Sequence, residues 1–252
     1  MSLRTRTLVF STFFGSILAI GLLLVSLTTN SWVKAYPKRT NAPVSYSVLY
    51  YVTPFVLYLC EIHFFVNVLQ ESKGEVSYGL FYGTKDLNPG FGVRSHSVDV
   101  YTFMQTEQQP MNFWLWLITA LGTGLGLLSC AISAIAAVFK AASAAKKPGT
   151  MLVLFASNIS SALSQVLAFI CWLVQFFQYL QHNVLAIEDR RHNWYSHGLA
   201  SLGYSFYLVV VSTLVVFLNI TILFHARRRE KREVRRLQPP SEEKHQSAIM
   251  LY

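Results

Sequence analysis

His182, His192 and His197 lie in one short stretch of this 252-residue chain, together with Glu188 and Asp189. Imidazoles and carboxylates are the groups from which a zinc centre or an acid–base pair is built. Their spacing argues against both. The three histidines match no zinc pattern, and no two stand four residues apart as they would on one helix face, so the stretch reads as a solvated loop. Gly122-Thr123-Gly124-Leu125-Gly126 superficially resembles a nucleotide loop, but it lies inside an apolar run with no preceding strand, and the phosphate-cradle reading fails. No nucleophile elbow or metalloprotease signature is found elsewhere. The expectation is a non-enzyme that needs no cofactor or metal.

Other polar residues repeat at helical spacing. Asn158, Ser161, Gln165, Ala168, Trp172 and Gln175 follow at intervals of 3, 4, 3, 4 and 3, the seam of a left-handed helix bundle. Amides facing lipid would lack partners, so the stripe is expected to point inward and fix packing by hydrogen bonds rather than line a conduit. Gly122 and Gly126 form a small-x-x-x-small pair, continued by Ser129, Ser133 and Ala137. Such a pair brings helices close and allows a homo-oligomer.

The elements that must hold these residues are four runs, 8–27, 114–139, 151–180 and 206–224, free of Asp, Glu, Lys, Arg and His. A helix rising about 1.5 Å per residue needs roughly 20 apolar residues to cross a hydrocarbon core of about 30 Å. The chain is 53% hydrophobic and 13% charged, where a soluble domain carries about 25% charge. The expected fold class is an all-α membrane protein: a four-helix transmembrane bundle with a small extracellular antiparallel β-sheet. Residues 1–237 make the four-span domain, with outer loops 31–113 and 181–204, and 238–252 a disordered cytoplasmic tail. Ion- and proton-coupled carriers keep ionisable groups at membrane depth at a cost of about 2.5–3.5 kcal/mol each, and the four cores contain none.

Charge sets the expected orientation. The net charge is +9, and eight of the 21 Lys and Arg follow His225, which points to topology and lipid head groups rather than nucleic acid. Arg4 and Arg6 precede the first run, and Lys140, Lys146 and Lys147 lie between the second and third. Arg227, Arg228, Arg229, Lys231, Arg232, Arg235 and Arg236 follow the fourth. The positive-inside rule puts all three groups, and both termini, in the cytoplasm.

Residues 44–69 are also apolar, but Pro54, Glu61 and His63 interrupt them. A fifth crossing would break the charge pattern, so they are read as an interfacial or protein-packed helix. The first run exceeds the 7–15 residues of a signal-peptide core and is read as a retained anchor. Cys130 and Cys171 fall in spans and Cys60 in the first outer loop, so no disulfide pair is expected. The sequons at Asn158 and Asn219 fall within spans and are expected to stay unmodified. In the first outer loop Val76, Tyr78, Leu80 and Tyr82 alternate with Ser77, Gly79, Phe81 and Gly83. This run and residues 98–103 read as strands, with Asn88-Pro89-Gly90 as a turn between them.

Trp32 beyond the first span, followed by Tyr78-Gly79-Leu80-Phe81-Tyr82-Gly83, resembles the clarins. These belong to the wider claudin-like four-span group, whose first loop carries a Trp and then a Gly-Leu-Trp-like motif. Gly203-Tyr204-Ser205-Phe206 at the start of the fourth span and the ending Ile249-Met250-Leu251-Tyr252 are similar to clarins as well. The resemblance implies that Trp32 and Gly79–Phe81 position the outer sheet over the helices. It also implies a non-enzymatic plasma-membrane organiser, linked in the family to sensory cells and actin-rich protrusions. The cysteine pair that claudins carry after the motif is missing, which counts against a disulfide-clamped pore. The runner-up is a claudin-like adhesion or pore protein, or an auxiliary channel subunit, with Lys85, Asp86 and Arg94 lining a selectivity surface.

The C-terminal region supplies the expected partner handles. Arg227, Arg228, Arg229, Lys231 and Arg232 sit among Glu230 and Glu233 before Pro239-Pro240 ends any helix. Besides the bilayer itself, this stretch suits anionic lipids, each basic residue near the surface contributing about 1 kcal/mol. Met250, Leu251 and Tyr252 place apolar side chains last and third-last, a pattern that a PDZ domain captures as an added strand. PDZ or cytoskeletal proteins are the expected partners.

Overall fold

The computed structural model describes residues 3–39, 73–89, 92–105, 111–142 and 149–237. Residues 44–69 with Cys60, Gly90 of the expected turn, the Lys146–Lys147 pair and residues 238–252 with Met250, Leu251 and Tyr252 lie outside the described residues.

About 70% of the described residues are helical. The long helices are α1 (Leu3–Thr28), α3 (Phe113–Ala142), α4 (Gly149–Gln175) and α6 (Tyr204–Leu237), with two short ones, α2 (Val100–Gln105) and α5 (Ile187–Arg191). All four long helices are long and apolar enough to cross a membrane. They contain the four uncharged runs and extend beyond them. α4 continues through a π turn, Phe176–Leu180, in which the Gln181 N–H donates to the Phe176 carbonyl at 2.8 Å. α6 carries its helix well past the apolar run, because Arg, Lys and Glu are good helix formers and opposite charges stand at helical spacing, Glu230 three residues after Arg227 and Glu233 four after Arg229.

The strands are β1 (Val33–Ala35), β2 (Lys38–Arg39), β3 (Gly74–Tyr78), β4 (Tyr82–Leu87), β5 (Arg94–Asp99), β6 (Trp194–Tyr195) and β7 (Ala200–Leu202). Five form an antiparallel sheet in the order β5-β4-β3-β1-β7, and β2 pairs with β6. The register places Val33 opposite Tyr78 on one side and Leu202 on the other.

Three expectations for this region are corrected. The alternating run 76–83 is two strands, because the Gly79 N–H donates to the Tyr82 carbonyl at 2.7 Å and closes a turn. Residues 98–103 are not one strand. β5 ends at Asp99, whose carboxylate accepts from the Tyr101 N–H (3.1 Å) and the Thr102 hydroxyl (2.9 Å) and so caps α2. Residues 181–204, read as a short solvated loop, supply α5, β6 and β7.

Contacts divide the chain into two compact units. The first comprises residues 1–21, 125–164 and 212–252. Here Val9, Ala136, Ala137, Met151, Leu154, Leu223 and Ala226 bury together, and Ala19, Cys130, Ala162 and Val216 form a second cluster. Most of these side chains are small, which lets helix backbones approach. A polar chain crosses all four helices: Asn219 Nδ2 donates to Ser16 Oγ (3.4 Å), Ser16 Oγ to Ser133 Oγ (3.2 Å), and Asn158 Nδ2 to Ser133 Oγ (2.5 Å). Gly15 makes room for it, since a Cβ there would stand 2.1 Å from Asn219 Oδ1. Both sequon asparagines are thus buried in this chain. Ser161 Oγ donates to the Gly126 carbonyl at 3.0 Å. Lys140, buried, pairs with Glu230 at 3.2 Å.

The second unit comprises residues 22–124 and 165–211. It holds both sheets, the short helices and the remaining segments of the long helices. Gly122 is buried within it, and Thr119 Oγ1 lies 3.4 Å from the Ala168 carbonyl. All six residues of the 158–175 stripe are buried in α4.

Candidate functional site

The resemblance motif lies where the sheet meets helix ends in the second unit. Trp32 is fully buried, its indole N–H donates to the Ser26 carbonyl at 2.7 Å, and its ring meets Trp172 edge-on at 4.9 Å. The Trp32 N–H donates to the Tyr78 carbonyl at 2.8 Å. Tyr78 is buried, stacks near Phe103 and donates its hydroxyl to the Val184 carbonyl at 3.2 Å. Burial, and secondarily the Asp189 carboxylate, hold this phenol above the ordinary tyrosine range.

Gly79 follows because backbone crowds it from both sides. A Cβ there would sit 2.6 Å from the Thr29 carbonyl oxygen and 2.8 Å from that of Tyr82. Leu80 is buried, and its carbonyl accepts from the Trp116 indole at 2.7 Å. Phe81 is partly exposed, meets Trp116 edge-on, and accepts at its carbonyl from the Val100 N–H, the first residue of α2. Four consecutive residues therefore join β3, β4, α2, α3 and the segment after α1.

Gly203 makes a second junction. Its N–H donates to the Trp32 carbonyl at 2.9 Å, and the Ser205 N–H to the Ser31 carbonyl at 3.1 Å. Ser26 Oγ donates to the Ser205 carbonyl at 2.8 Å, and Thr29 Oγ1 and Ser205 Oγ stand 2.7 Å apart. The start of α6 is stitched to the end of α1 by main chain and hydroxyls together.

Charged loop residues are arranged differently from the selectivity-surface expectation. Lys85 Nζ donates to both oxygens of Asp189, at 3.0 and 2.8 Å, with both side chains largely covered. It is a tether between β4 and α5, whereas Asp86 is half-buried and Arg94 exposed. His182 and His197 lie together, ring nitrogens 3.4 Å apart, while His192 turns its Nδ1 to the Glu188 carbonyl at 2.8 Å. Among the described residues no three His, Cys, Asp or Glu converge to hold a metal.

Sequence reasoning missed Trp116 and Ser26, and it named Ser205 and Asp189 without the bonds they make to Ser26, Thr29 and Lys85. Trp116 reads from sequence as one more aromatic at a span's edge, and a serine hydroxyl carries no periodic signal. At the other unit's end, Arg227, Arg228, Arg229, Lys231 and Arg232 are exposed along α6. Arg227 and Arg228 lay their guanidinium groups over Phe155 (5.5 Å) and Phe224 (4.2 Å).

In the second unit Gln175 accepts from the Asn112 N–H at 3.3 Å. The Trp172 indole N–H and the Gln175 amide nitrogen have no hydrogen-bond partner among the described residues. The chain matches no family model, and no curated protein matches it at a significant level.

Proposed function

We propose that this chain is a clarin-like, non-enzymatic four-pass organiser of the plasma membrane. The sheet lies outside the cell, both termini lie in the cytoplasm, and membrane and cytoskeletal partners assemble around it. The observation that carries the reading is the junction itself. Trp32 and Tyr78–Phe81 lock the sheet to the helix ends, as the clarin resemblance implies, and leave a firmly held platform with β5 exposed along its edge.

Topology supports the same reading. β1 and β3 flank residues 40–72 and pair directly, and β1 also pairs with β7 from the second loop. A single additional crossing between β1 and β3 would put paired strands on opposite faces of the bilayer. With four crossings the basic residues of α6, Lys140 and the N-terminal arginines share one face, as the positive-inside rule requires. The exposed arginines and lysine of α6 then lie against anionic lipid. The pore alternative loses Lys85 from its selectivity surface, because that lysine is bound to Asp189.

The C-terminal Met250-Leu251-Tyr252 is the proposed PDZ ligand of the organiser. Deleting Leu251 and Tyr252 should abolish co-purification with PDZ proteins from the host cell while surface delivery stays within about twofold of the parent. Unchanged capture would remove the PDZ assignment, and an ionic conductance reversed by Asp86→Asn would replace the organiser by a pore.

A further inference from the structure

Within the first unit, α1 and α3 leave an apolar groove of about 370 Å³. Phe13, Ile17 and Ile20 of α1 and Ile135 and Phe139 of α3 line it, and Ala131 gives it depth because its side chain is a single methyl. No polar atom contributes to the lining.

The α1 side of the groove belongs to a longer stripe. Positions 6, 10, 13, 17 and 20 are spaced 4, 3, 4 and 3, which places them on one helix face. Phe10 stacks on Phe13 at 5.9 Å. Arg6 begins the stripe, about 10 Å along the axis from Phe13. It is half-buried and has no ion-pair partner among the described residues.

An apolar slot with an arginine on the same helix face about 10 Å beyond it matches a phospholipid, whose phosphate stands apart from its acyl chain. We propose that the groove holds one acyl chain of an anionic phospholipid whose phosphate pairs with Arg6. A guanidinium offers phosphate two parallel donors, and hydrocarbon has no polar lining to strip of partners. Charge separates this occupant from a second copy of the chain. Two copies sharing a membrane and meeting through this face would set Arg6 beside Arg6 at equal depth, like charges on an isologous contact. A lipid phosphate complements the same side chain. The inference needs the helices to lie in a bilayer and does not depend on the organiser reading.

The test uses the full-length protein extracted in mild detergent and doped with equal amounts of palmitoyl-oleoyl phosphatidylserine and the matching phosphatidylcholine, with retained lipids counted by native mass spectrometry. The parent should retain one phosphatidylserine in preference to phosphatidylcholine. Arg6→Gln, a change on a helix surface, should lower that preference about fivefold. Ala131→Leu, which fills the groove, should lower retention of both lipids. Equal retention of the two lipids by the parent, or full preference in Arg6→Gln, overturns the proposal whatever becomes of Ala131→Leu. If Ala131→Leu converts a dimer to a monomer with lipid retention unchanged, the groove belongs to a second copy and the proposal fails.

Discussion

Gly203→Ala should destabilise the fold by about 3 kcal/mol or more, at the upper end of what overpacking costs. Its Cβ would stand 2.0 Å from the Ser31 carbonyl oxygen and 2.6 Å from the Ser31 carbonyl carbon. Both are main-chain atoms, already fixed by the Ser205 N–H and by the β1–β7 register. No side chain can rotate away, so β7 must part from β1 or the start of α6 must move.

Gly79→Ala should fail in the same way, since its three nearest neighbours are backbone atoms of Thr29, Asn30 and Tyr82. The controls are Gly21→Ala and Gly124→Ala, where a methyl meets nothing within 4 Å. In a helix interior that change is neutral or stabilising by up to about 1 kcal/mol. Thermal midpoints of the detergent-solubilised variants should fall for positions 79 and 203 and hold or rise for 21 and 124. A drop at all four would mean that glycine was needed for something other than space.

Trp32→Ala should cost about 3–5 kcal/mol, the usual range for removing a buried aromatic. The loss combines the ring contact with Trp172 and the indole bond to the Ser26 carbonyl. Phenylalanine separates the two contributions. Trp32→Phe keeps most of the apolar volume but strips the Ser26 carbonyl of a donor, at about 1–3 kcal/mol. Trp172→Phe removes an indole N–H that has no partner among the described residues, so it should cost less than Trp32→Phe despite equal burial. Equal costs for the two phenylalanine variants, measured as midpoints of chemical denaturation, would show that the Ser26 bond contributes nothing.

The contrast between these residues explains what could be read in advance. The four helices were legible because lipid imposes a local, length-dependent requirement: an uncharged run of about 20 residues satisfies it without reference to the rest of the chain. The buried stripe from Asn158 to Gln175 was legible for a related reason, since 3- and 4-residue spacing fixes a face before any partner is known. The sheet was only partly so. Alternation marked β3 and β4, but the break at Gly79 depends on main chain beyond α1 pressing against it.

The end of β5 hinges on Asp99 choosing to cap α2, although the Val, Tyr and Phe that follow favour strands. Strand β7 is three residues long and gains its place only by pairing with Val33–Ala35. The Lys85–Asp189 pair joins residues 104 positions apart, and a single lysine and a single aspartate in two polar loops give no sign of each other. Where structure arises from periodicity it shows in the sequence, and where it arises from one long-range contact it does not.

An organiser of this kind needs both ends of the chain on one side of the membrane and the sheet on the other. The most direct measurement labels intact and permeabilised cells that express the full chain with an epitope after Tyr252 and with Ser97→Cys in β5, in a background where Cys60 is serine. Ser97 is exposed on an edge strand, so a membrane-impermeant maleimide should modify the new cysteine in intact cells. The epitope should bind antibody only after permeabilisation. An epitope reachable in intact cells, or a cysteine sealed until the membrane is opened, would contradict the four-crossing arrangement with both termini inside.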